Sequence, residues 1–245
     1  MENLNSRSIG EFVAEDYRTA VVFQKYGIDF CCKGGRTIDE VCENKKIASE
    51  ELLADLDEVV KQNNNQNTDF QTWSLDLLAD YIEKTHHRYI VEKTPALRQY
   101  LDKLCRVHGS HHPELFEITE QFNSSADELA MHMKKEELIL FPFIRDMVNA
   151  ASDRENAGRA NFGTIQNPIQ MMMEDHEIEG ERFRKMSSLS DSYSPPADAC
   201  ATYKVTYSML KEFEEDLHLH IHLENNILFP RAIEMEKEMP VSCAE

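Results

Sequence analysis

Two stretches of this chain, 88 residues apart, carry one pattern. The first is His132-Met-Lys-Lys-Glu136 followed by Leu140-Phe141-Pro142; the second is His220-Ile-His-Leu-Glu224 followed by Leu228-Phe229-Pro230. A further histidine precedes each at a matched distance: His87 lies 45 residues before His132, and His176 lies 44 residues before His220. Each half therefore offers one histidine on one helix and a His-x-x-x-Glu on the next. That is the mark of a duplicated helical hairpin, four helices in all. Residues four apart stand about 40° apart around a helix, so each His-x-x-x-Glu can direct an imidazole and a carboxylate to one face.

Bundle interiors commonly gather ligands from facing helices. The expectation is a two-metal site built from His87, His132, Glu136, His176, His220 and Glu224, with two carboxylates able to bridge. A single His-x-x-x-Glu is usually a solvated pair; two copies with matched partner histidines favour ligation. Imidazole with carboxylate suits iron, zinc or manganese. No cysteine falls at a repeat position, which argues against a thiolate zinc site. Six ligands over two metals leave positions for a diatomic, peroxide or water. His86 competes with His87 for the first position. His218 and His222 stand about 200° around the helix from His220 and are expected to face away. Glu128 and Asp175 are candidates to orient an imidazole from behind, with surface or capping roles as the alternative.

The remaining sequence agrees with an all-α chain. Glycine and proline number only eight each, and 41% of residues are hydrophobic, enough for a real core. Apolar spacing such as Leu75, Leu78, Tyr81 and Ile82 places long helices near 73–93, 113–149, 166–189 and 197–236. Pro95, Pro113, Pro168 and Pro195-Pro196 read as marks near helix starts; Pro142 and Pro230 read as kinks or stops. Ahead of the bundle, the capping-box pairs Ser8/Glu11 and Thr37/Glu40 start helices, Gly27 closes the first, and a third spans Ser49 to about Lys61. The run Asn63-Asn64-Asn65-Gln66-Asn67-Thr68 cannot bury apolar surface and reads as a linker. The expected division is residues 1–62 as a small helical domain, 63–70 as linker and 71–240 as bundle.

A net charge of −19 repels phosphate backbones and anionic membrane surfaces, so neither nucleic acid nor membrane is an expected partner. No apolar run approaches the roughly 20 residues of a membrane span. The start Met1-Glu2-Asn3-Leu4-Asn5 lacks the basic and apolar stretches of a secretory signal, so a cytoplasmic protein is expected. The six cysteines are scattered, unlike a secreted disulfide framework.

The segments Gly27-Ile-Asp-Phe-Cys31-Cys32 with Gly34-Gly35, His132-Met-Lys-Lys-Glu136, and His220-Ile-His-Leu-Glu224-Asn-Asn-Ile-Leu-Phe-Pro-Arg-Ala232 closely resemble the repair-of-iron-centres di-iron proteins. The resemblance covers essentially the whole chain and implies a hemerythrin-like four-helix bundle behind a small N-terminal domain. It implies two non-haem iron ions with an oxo bridge, held by His87, His132, Glu136, His176, His220 and Glu224, with Glu136 and Glu224 bridging. His87 is favoured over His86 because it keeps the family's distance to the proline here numbered Pro95. The implied function is repair of iron–sulfur proteins damaged by nitric oxide or oxidants, through iron donation or nitric oxide reduction, in a chain that dimerises. The alternatives are a hemerythrin-like oxygen or nitric oxide binder and an iron store. Cys31 and Cys32 match the family's cysteine pair. Adjacent cysteines do not easily form a disulfide. Lys33 and Arg36 nearby are expected to favour thiolate, which suggests a redox or metal-transfer pair; packed small residues at a turn are the alternative.

Overall fold

A computed structural model describes residues 4–61, 68–153 and 163–239. All regular elements among them are helical; the single β contact is a bridge between Ser8 and Thr37. The N-terminal unit has four helices: α1 (Ile9–Glu15), α2 (Ala20–Lys25), α3 (Ile38–Lys45) and α4 (Ser49–Lys61). Both capping boxes form. Ser8 Oγ accepts from the Glu11 amide at 3.2 Å while Glu11 accepts from the Ser8 amide at 2.7 Å, and Thr37 with Glu40 repeats this. The single helix expected from Ser8 to Gly27 is instead two. Asp16 takes the Arg18 amide and guanidinium on its carboxylate, an Asx-type turn that competes with helix. Gly27 closes α2 at φ +62°.

Four long helices follow. Residues 75–108 form α5 (Leu75–Tyr81, the wide π segment Ile82–His87, then Arg88–His108), and residues 114–153 form α6 (Glu114–Lys135, the π segment Glu136–Leu140, then Phe141–Asp153). Next comes α7 (Gln166–Leu189), then residues 201–238 as α8 (Ala201–Leu223, the π segment Glu224–Leu228, then Phe229–Glu238). Three expectations about proline need correction. The first long helix does not end at 93: it runs through Pro95 to His108, because Leu97, Leu101 and Leu104 continue the buried face of Ile90. Burying each of these side chains contributes roughly 1.5–3 kcal/mol, enough together to offset the ~3 kcal/mol of an interior proline. Of the kink or stop expected at Pro142 and Pro230, the stop does not occur: both helices continue, to Asp153 and Glu238. The carbonyl each ring would strike, four residues back, belongs to Leu138 or Asn226, and both lie in a π segment. The wider turn makes the room and tolerates the missing N–H.

The core has two apolar clusters, and every long helix contributes to both. One holds Leu78, Phe141, Ile169 and Phe229; the other holds Ile90, Phe122, Phe183 and Phe213 together with the interior of the N-terminal unit. On α5, α6 and α7 a repeat histidine or glutamate falls between the helix's contributions to the two clusters, and on α8 the changeover from Ile221 to Leu223 lies between His220 and Glu224. A polar layer is thereby sealed between two apolar ones.

The N-terminal unit seats its Ile28–Gly34 turn on α7 and α8. Phe30 packs edge-on against the rings of His218 and His222, Arg184 pairs with Asp29 at 2.7 Å, and Lys33 with Glu177 at 3.0 Å. Asn226 donates to the Phe30 carbonyl at 3.2 Å. Gly34 permits this approach, since a Cβ there would stand 2.7 Å from Asn226 Oδ1. Of the expected linker, residues 63–67 lie outside the described residues, whereas Phe70 packs against Trp73 and Tyr81. No helix among the described residues is long and apolar enough to cross a membrane.

Candidate metal centre

The structure brings together His87, His132, Glu136, His176, His220 and Glu224, and all six are buried. Helical spacing aligns His132 with Glu136 and His220 with Glu224, with contacts of 3.2 and 3.1 Å. His87 closes on the other oxygen of Glu136 at 3.3 Å, and His176 on the other oxygen of Glu224 at 3.1 Å. His132 and His176 approach Nε2 to Nε2 at 3.0 Å. Donor atoms fall into two sets, each spanning no more than 4.8 Å: His87, Glu136, His220 and Glu224; and His132, Glu136, His176 and Glu224. Both glutamates belong to both sets, while each set takes one histidine from each half of the repeat.

Two features fit this arrangement to cations. Two donors about 2.1 Å from one ion and at right angles stand about 3.0 Å apart, and the observed spacings of 3.0–3.3 Å match such edges. In addition, no oxygen of Glu136 or Glu224 has a well-directed hydrogen bond, nor does Nε2 of His87 or His220, although all are shut from solvent. Unpaired carboxylates in a dry interior are costly unless a positive charge meets them. The carboxylates act on the imidazoles packed against them. Burial lowers imidazole basicity, but at His132 Glu136 and Asp175 outweigh it and lift the pKa to about 10. His87 is raised in the same way by Glu136 against burial. Burial wins at His220, which is lowered. Burial also works to raise both glutamates, yet neighbouring histidines hold Glu136 low and Glu224 well below the usual range.

Behind the donors stands a second ring of contacts. His87 Nδ1 meets Glu137 at 2.9 Å, His132 Nδ1 meets Asp175 at 3.2 Å, and His176 Nδ1 meets the Asn225 side-chain oxygen at 2.9 Å. Such contacts fix the tautomer that leaves Nε2 free. The hydrogen bond from His132, with Lys135 beside it, holds Asp175 down at about 2. Asp175 thus takes the orienting role; Glu128 instead pairs with Arg182 at 2.6 Å. His86 turns away to Asp216 at 3.0 Å, and His218 and His222 face the N-terminal unit. Sequence reasoning missed Glu137 and Asn225. Both stand one residue past a shared glutamate, so the repeat register itself carried the signal.

Cys31 and Cys32 sit beside this centre. Their sulfurs are 3.7 Å apart and unbridged, and with Asp29 they form a third compact group of ligand-type atoms. Cys32 Sγ donates to the His176 carbonyl at 3.3 Å, over Gly180, where a Cβ would stand 2.9 Å from the sulfur. The expectation of a cation-stabilised thiolate fails at Cys31. The Cys32 thiol and burial push its pKa well up, and Asp29 adds to that. Lys33 is drawn off to Glu177, and Arg36 to the carbonyls of Lys33 and Asp29. Among the other cysteines, Cys42 is buried, Cys105 bonds Thr119 at 3.1 Å, Cys200 is exposed beside His108, and Cys243 lies outside the described residues.

Residues 78–232 match the hemerythrin HHE cation-binding domain, and residues 5–60 match ScdA_N, a domain of unknown function. The chain belongs to the repair-of-iron-centres family. It is similar to the iron–sulfur cluster repair protein ScdA of Staphylococcus haemolyticus, 31% identical over 92% of this chain and 97% of that one. It is also similar to the iron–sulfur cluster repair protein YtfE of Musicola paradisiaca, at 33% over 94% and 97%. A probable iron–sulfur cluster repair protein of Haemophilus influenzae is 33% identical over 86% of this chain and 90% of its own length. The matched cation-binding domain contains all six clustered residues.

Proposed function

We propose that this protein holds two non-haem irons at His87, His132, Glu136, His176, His220 and Glu224 and uses them to repair iron–sulfur proteins damaged by nitrosative or oxidative stress. The observation that carries this reading is the doubly shared carboxylate pair. Two four-donor sets with Glu136 and Glu224 in common suit a coupled pair of cations better than two independent ones. The repair proteins to which the chain is similar along almost its full length point the same way.

The irons supply one-electron chemistry and open coordination positions for a diatomic such as nitric oxide or oxygen. The chain's own residues do the rest. Glu137, Asp175 and Asn225 hold three imidazoles in the tautomer that presents Nε2. The two apolar clusters exclude bulk water from the layer between them. A cavity of about 310 Å³ reaches His132 and His176 past Glu128, Lys135 and Asp175, which gives a cation an acid-lined way in or out. Cys32, whose sulfur donates to the His176 carbonyl, and Cys31 beside it would serve as a redox or metal-transfer pair towards a client.

Iron content, with optical and Mössbauer spectra of protein purified without added metal, tests the reading. About two irons per chain in an exchange-coupled pair, lost in His132→Ala and Glu224→Ala, support it. One ion, zinc, or unchanged mutant spectra overturn it. Repair is then measured as recovered activity of a nitric-oxide-damaged iron–sulfur enzyme, and steady nitric oxide consumption with an electron donor separates turnover from simple binding.

A further inference from the structure

Arg231 lies on α8 two residues past Phe229, in the stretch that carries the second half of the repeat, yet it is in neither donor set. It is partly buried. Among the described residues no hydrogen bond or ion pair reaches its guanidinium, and Nη1 is shut from solvent as well. Burial lowers its pKa, and no neighbouring carboxylate raises it back. That is unusual in a chain with 45 acidic side chains against 26 basic ones. The acids that share its surroundings are spent elsewhere. Glu11 accepts from the Ser8 amide at 2.7 Å, Glu15 pairs with Arg7 at 2.6 Å, and Glu234 pairs with Lys237 at 2.7 Å. A partly buried charge with no counter-charge is costly, so an arginine held this way is ready to receive an anion.

Two cavities meet at Arg231, and their linings decide what kind of anion fits. One, of about 460 Å³, also carries Glu11 and Glu15, and these carboxylates repel an anion. The other, of about 650 Å³, is walled by Leu75, Ile169, Met173, Phe229, Ile233 and Met235. Glu234 and Glu238 border it too, but both are exposed, where water and salt screen them. An apolar concavity with one directed polar group is the usual character of a small-molecule site. We propose that this second cavity binds a small carboxylate with an apolar body, of the medium-chain fatty-acid class, with Arg231 holding the head. Nε and Nη2 are not sealed, and together they form the side-on fork that meets a carboxylate with two parallel bonds. The apolar body displaces water from Ile169, Met173 and Met235, and methionine adapts its shape to what it meets. Phe229 in the same wall stacks on His176 at 6.1 Å, so the bound body lies against the back of the candidate metal centre. The inference needs no particular metal there and stands apart from the repair reading.

The test is isothermal titration calorimetry of the full chain, as purified, with decanoate, octanoate and decanol, each dissolved as the monomer. Decanoate is expected to bind one molecule per chain. Octanoate, two methylenes shorter, is expected to bind about 15-fold more weakly, at roughly fourfold per buried methylene. Decanol keeps the body but has no charge, and is expected to bind about ten- to hundredfold more weakly than decanoate, the factor a hydrogen bond to a charged group provides. Arg231→Met keeps an apolar side chain and removes the charge. It is expected to weaken decanoate by that same factor while leaving decanol unchanged, with circular dichroism as the check on folding. Met173→Trp puts bulk into the cavity at a partly exposed wall and is expected to weaken all three. The comparison of decanoate with decanol on the wild type needs no variant. Absence of decanoate binding, equal affinity for decanoate and decanol, or an unchanged decanoate affinity in either variant overturns the proposal.

Discussion

The donor sets cross the sequence repeat, and that crossing can be tested with two double variants that remove equal numbers of imidazoles. His87→Ala with His220→Ala empties one set of its histidines but leaves His132, His176 and both glutamates of the other. His87→Ala with His132→Ala removes one histidine from each set. Losing even an outer partner of a ligand costs 10–100-fold in metal affinity, about 1.4–2.7 kcal/mol, so loss of an imidazole itself costs at least that much. The first variant therefore weakens one position by about 10²–10⁴-fold or more, if the losses add, and leaves the other with its full donor set. The second weakens both by at least 10–100-fold. Iron per chain is measured by elemental analysis under a chelator that buffers free ferrous iron between these limits, with circular dichroism as the check on folding. The expected result is one iron for the first variant, with the Mössbauer signature of an isolated ion, and close to none for the second. The opposite outcome, one tight iron kept by His87→Ala/His132→Ala and none by His87→Ala/His220→Ala, would mean that ions are held within halves and that the geometric pairing is wrong.

Three further outcomes follow from groups away from the irons. Burial lifts the Glu214 carboxyl from the ordinary 4.5 to about 7, so its protonated form contributes stability in full below pH 4.5, and that contribution is lost as pH rises through 7; urea unfolding should find Glu214→Gln more stable than wild type at pH 8, by up to about 3 kcal/mol, and the gap should shrink towards pH 5. Cys200 stands at the N-terminus of α8, where the Tyr203 amide and then His108 lower its pKa to about 7; it should be the first described cysteine alkylated at neutral pH, and His108→Ala should shift the pH midpoint of that reaction upward. Phe30→Ala removes a fully buried ring from the seat on His218 and His222 and should cost about 3–5 kcal/mol in chemical denaturation while leaving iron content intact.

The bundle was legible because its signal is repeated. Duplicated His-x-x-x-Glu, matched upstream histidines and helical apolar spacing each point to four helices and one polar layer, and the structure brings those six side chains together. Capping boxes at Ser8 and Thr37 were legible for a local reason, since both partners lie within one turn. The failures share a different cause. Proline rules assume a regular α-helix. At Pro142 and Pro230 the preceding turn is a π segment, and nothing in a one-dimensional pattern of apolar residues reveals an inserted residue. Pairing of His87 with His220 and of His132 with His176 is set by how four helices face one another, which sequence spacing does not encode. At Cys31, proximity in sequence to Lys33 and Arg36 misled, because both cations are spent on other acceptors while Asp29 sits against the thiol.

The π segments tie these failures to the function. All three adjoin the polar layer: one ends at His87, one begins at Glu136 and one begins at Glu224. An α-helix advances about 100° per residue, so a single helix face offers donors only at three- and four-residue intervals. A wider turn shifts that phase and lets consecutive residues serve different partners. Glu136 and Glu224 face the donor sets while the next residues, Glu137 and Asn225, still reach histidines of those sets on the neighbouring helices α5 and α7. A regular helix would send those neighbours about 100° away. The same widening admits the prolines two residues beyond the second and third segments, so Leu-Phe-Pro in both halves is best understood as the sequence trace of a helix locally rewound to present two consecutive polar side chains to one buried site. Leu-Phe-Pro therefore belongs to the architecture of the metal centre: Phe141 stacks on His87 and Phe229 on His176, with ring centroids 5.6 and 6.1 Å apart, and the repeat that first disclosed the ligands also encoded the backbone distortion that lets them converge.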